Sequence, residues 1–152
     1  LSKSCVVRPA KTEDIDWLII ECAEFGRFFD SKIPLYNEEH LRSVVIPTLI
    51  ESHLFLVAEV RGEKAGFIAG LYTSHFLNPQ ITTLTEILFW VTPKLRGSRA
   101  AIMLIEAYTQ WGKLNADWVS MTVESESQLN EKSILKRGFK FKEKSYFMEV
   151  GA

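Results

Sequence analysis

Val91-Thr92-Pro93-Lys94-Leu95-Arg96-Gly97-Ser98-Arg99-Ala100-Ala101 joins a strand-like pattern to a helix-like one, and its charges break a local rule. Upstream, Thr85 to Val91 (Thr-Glu-Ile-Leu-Phe-Trp-Val) reads as a long strand stopped by Pro93. Downstream, Ser98 to about Leu114 reads as a helix whose first two turns, Ala100 to Ile105, are apolar all round and therefore buried on more than one side. Basic residues at a helix N-terminus oppose the macrodipole by ~0.3–1 kcal/mol each, yet Arg96 and Arg99 both stand there. Two readings follow from the residues alone. Free backbone N–H groups, the positive dipole end and two guanidinium groups make a site for a dianion such as a pyrophosphate. Equally, these are two solvated arginines on a strand-to-helix loop.

The flanking chain fits one α/β pattern. Cys5-Val6-Val7-Arg8, closed by Pro9, predicts a first strand. Thr12, as N-cap, precedes Glu13 and Asp14 and the apolar positions Ile15, Leu18, Ile19 and Cys22, whose spacing predicts a helix ending at Gly26. After an aromatic-rich stretch to Tyr36, Asn37 caps a second helix through Leu41, Val44 and Val45, with at most a short continuation past Pro47. Leu54 to Val60, the turn Arg61–Lys64 and Ala65 to Tyr72 read as a hairpin, and Asn78-Pro79 as a break. Trp118 to Val123 reads as a strand, Gln128 to Arg137 as a helix with Gly138 at C′, and Phe139 to Val150 as a closing pair of strands. The order β-α-α-β-β-β-α-β-α-β-β predicts a single α/β (α+β) domain over residues 1–152, with a mostly antiparallel sheet in its first half.

Composition narrows the chemistry. A chain of 152 residues buries ~70% of its unfolded surface and needs no staple. Eighteen basic against 19 acidic residues, net −1, lack the field of a general nucleic-acid binder. Two unpaired cysteines, Cys5 and Cys22, and no signal peptide lead us to expect a reducing, cytoplasmic setting. No apolar run nears the ~18 residues of a membrane span. The eight glycines form neither a dinucleotide fingerprint nor a P-loop, and His40, His53 and His75 have no metal-ligand spacing. No metal is expected.

Over about residues 5 to 150 the chain resembles the GNAT superfamily of N-acetyltransferases. Val91-x-Pro93-x-x-Arg96-Gly97-x-x-Ala100-Ala101 is similar to that family's acetyl-CoA motif, Val7-Arg8-Pro9-Ala10 with Thr12 and Asp14 to its opening strand and helix cap, and Gly138-Phe139 to the turn after its last helix. The resemblance implies a mixed, mostly antiparallel central sheet flanked by about four helices. It also implies acetyl-CoA as acetyl donor, held by Phe89, Trp90 and Val91 along the pantetheine and by Arg96, Gly97, Ser98, Arg99, Ala100 and Ala101 at the pyrophosphate. Asn130, Ser127 and Ser133, at the start of the last helix, would touch the cofactor too; a plain helix cap is the other role for Asn130. The loop departs from the family at Arg99, where a glycine is usual, and its Arg-Gly-x-Arg-Ala form is similar to that of acetyltransferases encoded by tailed phages. The expected role of Arg99 is a bidentate grip on phosphate.

The resemblance also places the catalytic groups. Glu86 is the candidate base: strand alternation puts it on a face with Leu88 and Trp90, where an uncompensated carboxylate is costly, and the family often carries a glutamate on this strand. A strand-end glutamate paired with a lysine or arginine is the structural alternative. The family's acidic tyrosine, four residues before the Gly-Phe turn, is Ile134 here, so Ser133, Ser127, Tyr146 or water would protonate the leaving thiolate. Phe25, Phe28, Phe29 and Tyr36 are either acceptor wall or plain core, and Glu24, Glu124 and Glu126 either attract a cationic amine or are simply solvated. His75 is either a proton relay or a structural histidine. The implied reaction is direct attack of a primary amine on the thioester, with a homodimer as a possible assembly. A CoA-binding domain without turnover is the main rival, and an interaction domain that binds no CoA is the third reading.

Overall fold

Three antiparallel pairings and one parallel pairing order the sheet β1-β2-β3-β4-β5. The computed structural model describes residues 4–29, 31–124, 127 and 129–151. Its strands are β1 (Cys5–Pro9), β2 (Leu54–Val60), β3 (Glu63–His75), β4 (Asn78–Val91) and β5 (Trp118–Ser120). Helices α1 (Ile15–Gly26), α2 (Glu38–His40) and α3 (Ile46–Ser52) lie between β1 and β2; α4 (Ala100–Asn115) makes the crossover from β4 to β5, and α5 (Glu131–Leu135) follows. A parallel pair needs such a crossover, whereas the antiparallel pairs close through turns.

The buried run Leu54–Ala58 puts side chains into two cores, one on each face of the sheet. On one face Phe55, Val57, Phe67, Ala69 and Trp90 meet Leu18, Ile19 and Cys22 of α1 and Ile46 and Leu49 of α3. On the other Leu56, Ile68, Leu84 and Val91 meet Ala100, Leu104 and Tyr108 of α4. Helix α4 is less enclosed than its apolar start suggests, because Ile102 faces outward and is exposed.

Several elements differ from the sequence expectation. The first helix is not capped by Thr12. A single 3-10 turn at Thr12–Asp14 leads into α1, and the Asp14 carboxylate accepts the Lys11 N–H at 2.8 Å. Pro47 does not end the second helix: a π-helical segment, Leu41–Val45, intervenes, so the amide-less Pro47 falls in the first turn of α3. Asn37 does cap, accepting from the His40 N–H. The expected break at Asn78-Pro79 is instead the start of β4, and β3 runs to His75. Thr73 and Thr83 share a hydroxyl hydrogen bond across this longer hairpin. The first hairpin turns in two residues, Arg61 and Gly62, both at positive φ.

The largest correction lies at the C-terminus. Residues 139–150 form no strand among the described residues, although Phe139 and Phe141 and then Tyr146, Met148 and Val150 alternate like one. A strand needs a partner edge, and β5 supplies three residues. The segment ends instead on Glu149, whose carboxylate accepts from the Ser31 hydroxyl and the Lys32 and Ile33 amides. Helix α5 is also shorter than expected; Gln128, its expected first residue, lies outside the described residues. Gly138, at φ 95°, follows its last turn. No helix among the described residues is long and apolar enough to cross a membrane.

Asp14 ties β1, α1 and β3 together. It is buried and accepts from both Arg8 guanidinium nitrogens, at 2.7 and 2.9 Å, with Lys64 at 3.1 Å. These bonds, Arg8 foremost, hold its carboxyl well below the usual carboxylate range. A depressed carboxyl stabilises the fold above its unfolded pKa and loses that contribution as pH falls through the folded one. Asp14→Ala is therefore expected to cost about 3 kcal/mol at neutral pH by stranding two part-buried cations. Urea unfolding should show the difference from wild type shrinking as pH is lowered below about 4.

Candidate active site

The site begins with a register change. Ala69 pairs with Leu88, but its neighbour Gly70 pairs with Glu86, so Ile87 is an extra residue in β4. A bulge of this kind reverses the alternation of side chains. Glu86 therefore shares the α4 face with Leu84, and Leu88 and Trp90 point to the other face, against the simple alternation expected from sequence. Gly70 makes room opposite: a Cβ there would stand 2.9 Å from both Leu84 Cδ1 and Tyr108 Cε2.

At the same level the sheet opens. Strand β5 pairs with β4 only at Thr83–Thr85, and beyond Ser120 the two chains part. Tyr108 of α4 stands at the fork, fully buried, donating its hydroxyl to the Ser120 carbonyl at 2.8 Å. Where the ladder would continue, the Thr122 N–H donates instead to Glu86 Oε2 at 3.2 Å, so the carboxylate bridges the two diverging chains. A cleft of about 270 Å³ opens here, with Glu86, Ile87 and Phe89 on one side, Thr122 to Glu124 on the other, and Phe25 and Phe29 across it.

The bare edge of β4 faces this gap. The Thr92 N–H donates to the Ala65 carbonyl of β3 at 2.8 Å, so the Val91 carbonyl, trans to it in the same peptide unit, points the opposite way. By alternation the backbone groups of Phe89 and Val91 face the opening and those of Trp90 face β3. One of them is engaged: Arg96 Nε donates to the Val91 carbonyl at 3.0 Å. The guanidinium lies over the rings of Trp90, at 4.7 Å, and Phe28, at 5.3 Å. Trp90 Nε1 in turn donates to the buried Glu21 carboxylate at 2.7 Å, and its ring meets Phe25 and Phe28 edge-on. This assembly joins the end of α1 to the loop before α4.

The two loop arginines diverge. Arg96 turns toward Trp90 and Phe28. Arg99, the residue preceding α4, lies near enough to Cys5 of β1 to pull that thiol's pKa down against the larger upward effect of burial. Between them Gly97 takes φ 89° with no atom within 4 Å of where a Cβ would stand, leaving open backbone. The Ser98 hydroxyl accepts the Ala100 N–H at 3.3 Å. Ala100 is buried and Ala101 half-buried, so backbone is what they can present at the helix start, where first-turn amides have no intrahelical acceptor.

Other sequence candidates fall elsewhere. Tyr146 is 91% exposed and does not line the cleft. The Ser133 hydroxyl accepts from Arg137, which also reaches Glu106 of α4. Asn130 caps α5, accepting the Lys132 N–H at 3.0 Å; Ser127 lines the cleft. His75 lies at the far hairpin, stacked on Phe76 and edge-on to Trp118. Of the aromatic candidates Phe25 and Phe29 line the cleft, Phe28 carries Arg96, and the Tyr36 hydroxyl donates to the Ile19 carbonyl. Glu24 pairs with Arg27, Glu124 lines the cleft, and Glu126 lies outside the described residues. Sequence reasoning missed Glu21 and Tyr108. Glu21 was signalled by a carboxylate inside the apolar stripe Leu18, Cys22, Phe25, and Tyr108 by a phenol hydroxyl in line with Ala100 and Leu104 on α4.

Burial pushes the Glu86 carboxyl up to about 7, with the Thr122 N–H opposing and the negative Glu124 reinforcing. Between its ordinary value, 4.5, and 7 the folded protein holds a proton that the unfolded chain has released. Stability from this group is therefore intact below 4.5 and falls by about 3 kcal/mol as pH rises through 7. Glu86→Gln should remove that decline. Urea unfolding at pH 5 and pH 8 is expected to show the variant gaining on wild type at the higher pH.

Solved structures share this architecture at low identity. An aminoglycoside acetyltransferase from an uncultured soil metagenomic sample superposes with a TM-score of 0.71 at 12% identity, over 99% of this chain and 97% of that one. Glucosamine-6-phosphate N-acetyltransferase from Arabidopsis thaliana gives 0.71 at 16% identity, over 97% and 99%. A protein described as a transcriptional regulator, from Bacillus halodurans, gives 0.73 at 14%, over 96% and 99%. No family model matches the sequence. No curated protein matches it either. The chain has the fold of the GNAT acetyltransferases.

Proposed function

We propose that the protein is an acetyl-CoA-dependent N-acetyltransferase whose single domain transfers the acetyl group to a primary amine by direct attack. The observation that carries this reading is the Glu86 carboxyl, buried at the fork of β4 and β5 with a pKa near neutrality, beside a bare strand edge. A general base works best when its pKa lies near the operating pH.

The residues fit the donor. A pantetheine arm carries amides that can pair with a strand edge, and the β4 edge offers the backbone groups of Phe89 and Val91. Arg96 must leave the Val91 carbonyl for that group to pair with the arm. Open backbone at Gly97, the α4 N-terminus and the Arg99 guanidinium suit a pyrophosphate. Acetyl-CoA as substrate supplies the activated thioester. Glu86 takes a proton from the incoming ammonium, directly or through a water. The amine nitrogen bonds to the carbonyl carbon, the adduct gives up its second nitrogen proton to solvent, the carbon–sulfur bond breaks as the carbonyl re-forms, and the thiolate takes a proton from solvent. An edge N–H, of Val91 or Phe89, would polarise the thioester carbonyl. Cys22 is buried, and its thiol is pushed up to about 11 by burial and then by Glu21, which makes it a poor nucleophile.

One observation favours the second reading, a CoA-binding domain without turnover: Ile134, where the related enzymes often have a tyrosine, is buried and offers no proton. Calorimetric titration with acetyl-CoA, followed by thiol-release assays with amine acceptors, separates the two. Wild type is expected to bind, and Arg96→Ala with Arg99→Ala to bind roughly 10- to 100-fold more weakly. Glu86→Gln should bind normally yet lose roughly 100-fold or more in kcat/KM. The wild-type rate should rise with pH through about 7, following deprotonation of Glu86. Binding without turnover of any amine would leave the second reading, and absence of binding by the folded wild type would remove both.

A further inference from the structure

The walls of the cleft have a chemistry of their own, and it selects the acceptor. Resting on the reading of this cleft as the transfer site, we propose that the acceptor is a cationic amine whose ammonium group is borne on an apolar or aromatic body, and not an anionic, phosphorylated amine. Two carboxylates face the opening. Glu86 lies at the fork, and Glu124, on the chain beyond β5, is close enough to raise its proton affinity. No lysine or arginine lines the cleft among the described residues. The nearby guanidinium groups are drawn elsewhere: Arg96 lies on Trp90 and Phe28, and Arg27 pairs with Glu24.

Across from the carboxylates the wall is aromatic. Phe25 and Phe29 meet edge to face at 5.2 Å, and Phe29 keeps 40% of its surface exposed. Ile87, the bulged residue, and Val123 and Leu129 extend the apolar surface. A phosphate brought here would meet two carboxylates and find no counter-charge, whereas an ammonium would be paired by them. The aromatic faces suit either an apolar body or the cation itself. At about 270 Å³ the space is small beside the ~300–1,000 Å³ of typical ligand pockets, and with the donor along its β4 edge it admits only the amine-bearing end of an acceptor.

Binding measured apart from turnover tests this. With saturating CoA present, 2-phenylethylamine, its uncharged analogue 2-phenylethanol and O-phosphoethanolamine are titrated calorimetrically into the wild type. The same titrations are made into Glu124→Gln and the more conservative Glu124→Asp. The amine should bind, and the alcohol and the phosphorylated amine should bind at least tenfold more weakly. Glu124→Gln should weaken the amine roughly tenfold and leave the alcohol unchanged, with Glu124→Asp restoring most of the loss. Equal or tighter binding of O-phosphoethanolamine, no binding of the amine, or no effect of Glu124→Gln would overturn the proposal. The two readings fail separately. Turnover of a phosphorylated acceptor in preference to the aromatic amine would sink this inference and leave the acetyltransferase standing. Selective binding of the amine in a protein that performs no acetyl transfer would do the reverse.

Discussion

One extra residue in β4 governs the site. The bulge at Ile87, opposite Gly70, turns Glu86 onto the α4 face just where β5 stops pairing. Without it strand alternation would put Glu86 on the α1 and α3 face with Leu88 and Trp90, where an uncompensated carboxylate is costly. With it, the carboxylate stands in the fork and accepts the first amide that the departing chain can offer. Ionisation is costly in so enclosed a place, and that cost sets the proton affinity of the group. Tyr108 supports the fork: its ring packs where Gly70 lacks a Cβ, and its hydroxyl anchors the end of β5 through Ser120.

A second assembly, Glu21–Trp90–Arg96, joins the end of α1 to the loop before α4. The indole N–H is satisfied by a buried carboxylate of α1, and the indole face carries the arginine of the loop before α4. Trp90 therefore shares its contacts between α1, whose Phe25 lines the cleft, and the loop before α4. Arg96 also occupies a carbonyl on the bare strand edge, so the side chain is held by hydrogen bond and aromatic contact rather than waving in solvent.

Much of the fold is legible in the residues because each local signal has a short-range cause. Asn37 caps because its side chain reaches the His40 amide; the run Leu54–Ala58 is continuous because both faces of the sheet are covered. The loop Pro93–Ala101 announced itself by arginines where a helix start disfavours them. What escaped depends on partners distant in sequence. Alternation cannot foresee the bulge at Ile87, because it arises in the register against β3. The apolar alternation in 139–150 suggests a strand, but strand formation requires an edge, and β5 is too short to provide one. Nor could spacing show that Arg96 and Arg99 diverge, since Arg96 is held by the rings of Trp90 and Phe28 while Arg99 lies near Cys5 of β1.

The account turns on the bare edge of β4 and the loop that follows it. An amide-resolved NMR titration of the protein with acetyl-CoA addresses both at once. The account predicts the largest shifts, and new protection from hydrogen exchange, at Phe89, Val91, Gly97 and Ala101, with the Thr122 amide responding at the fork. Shifts gathered instead around His53, Tyr72 and Trp111, which line a separate hollow of about 320 Å³, would contradict it. So would a titration that leaves the β4 edge unperturbed.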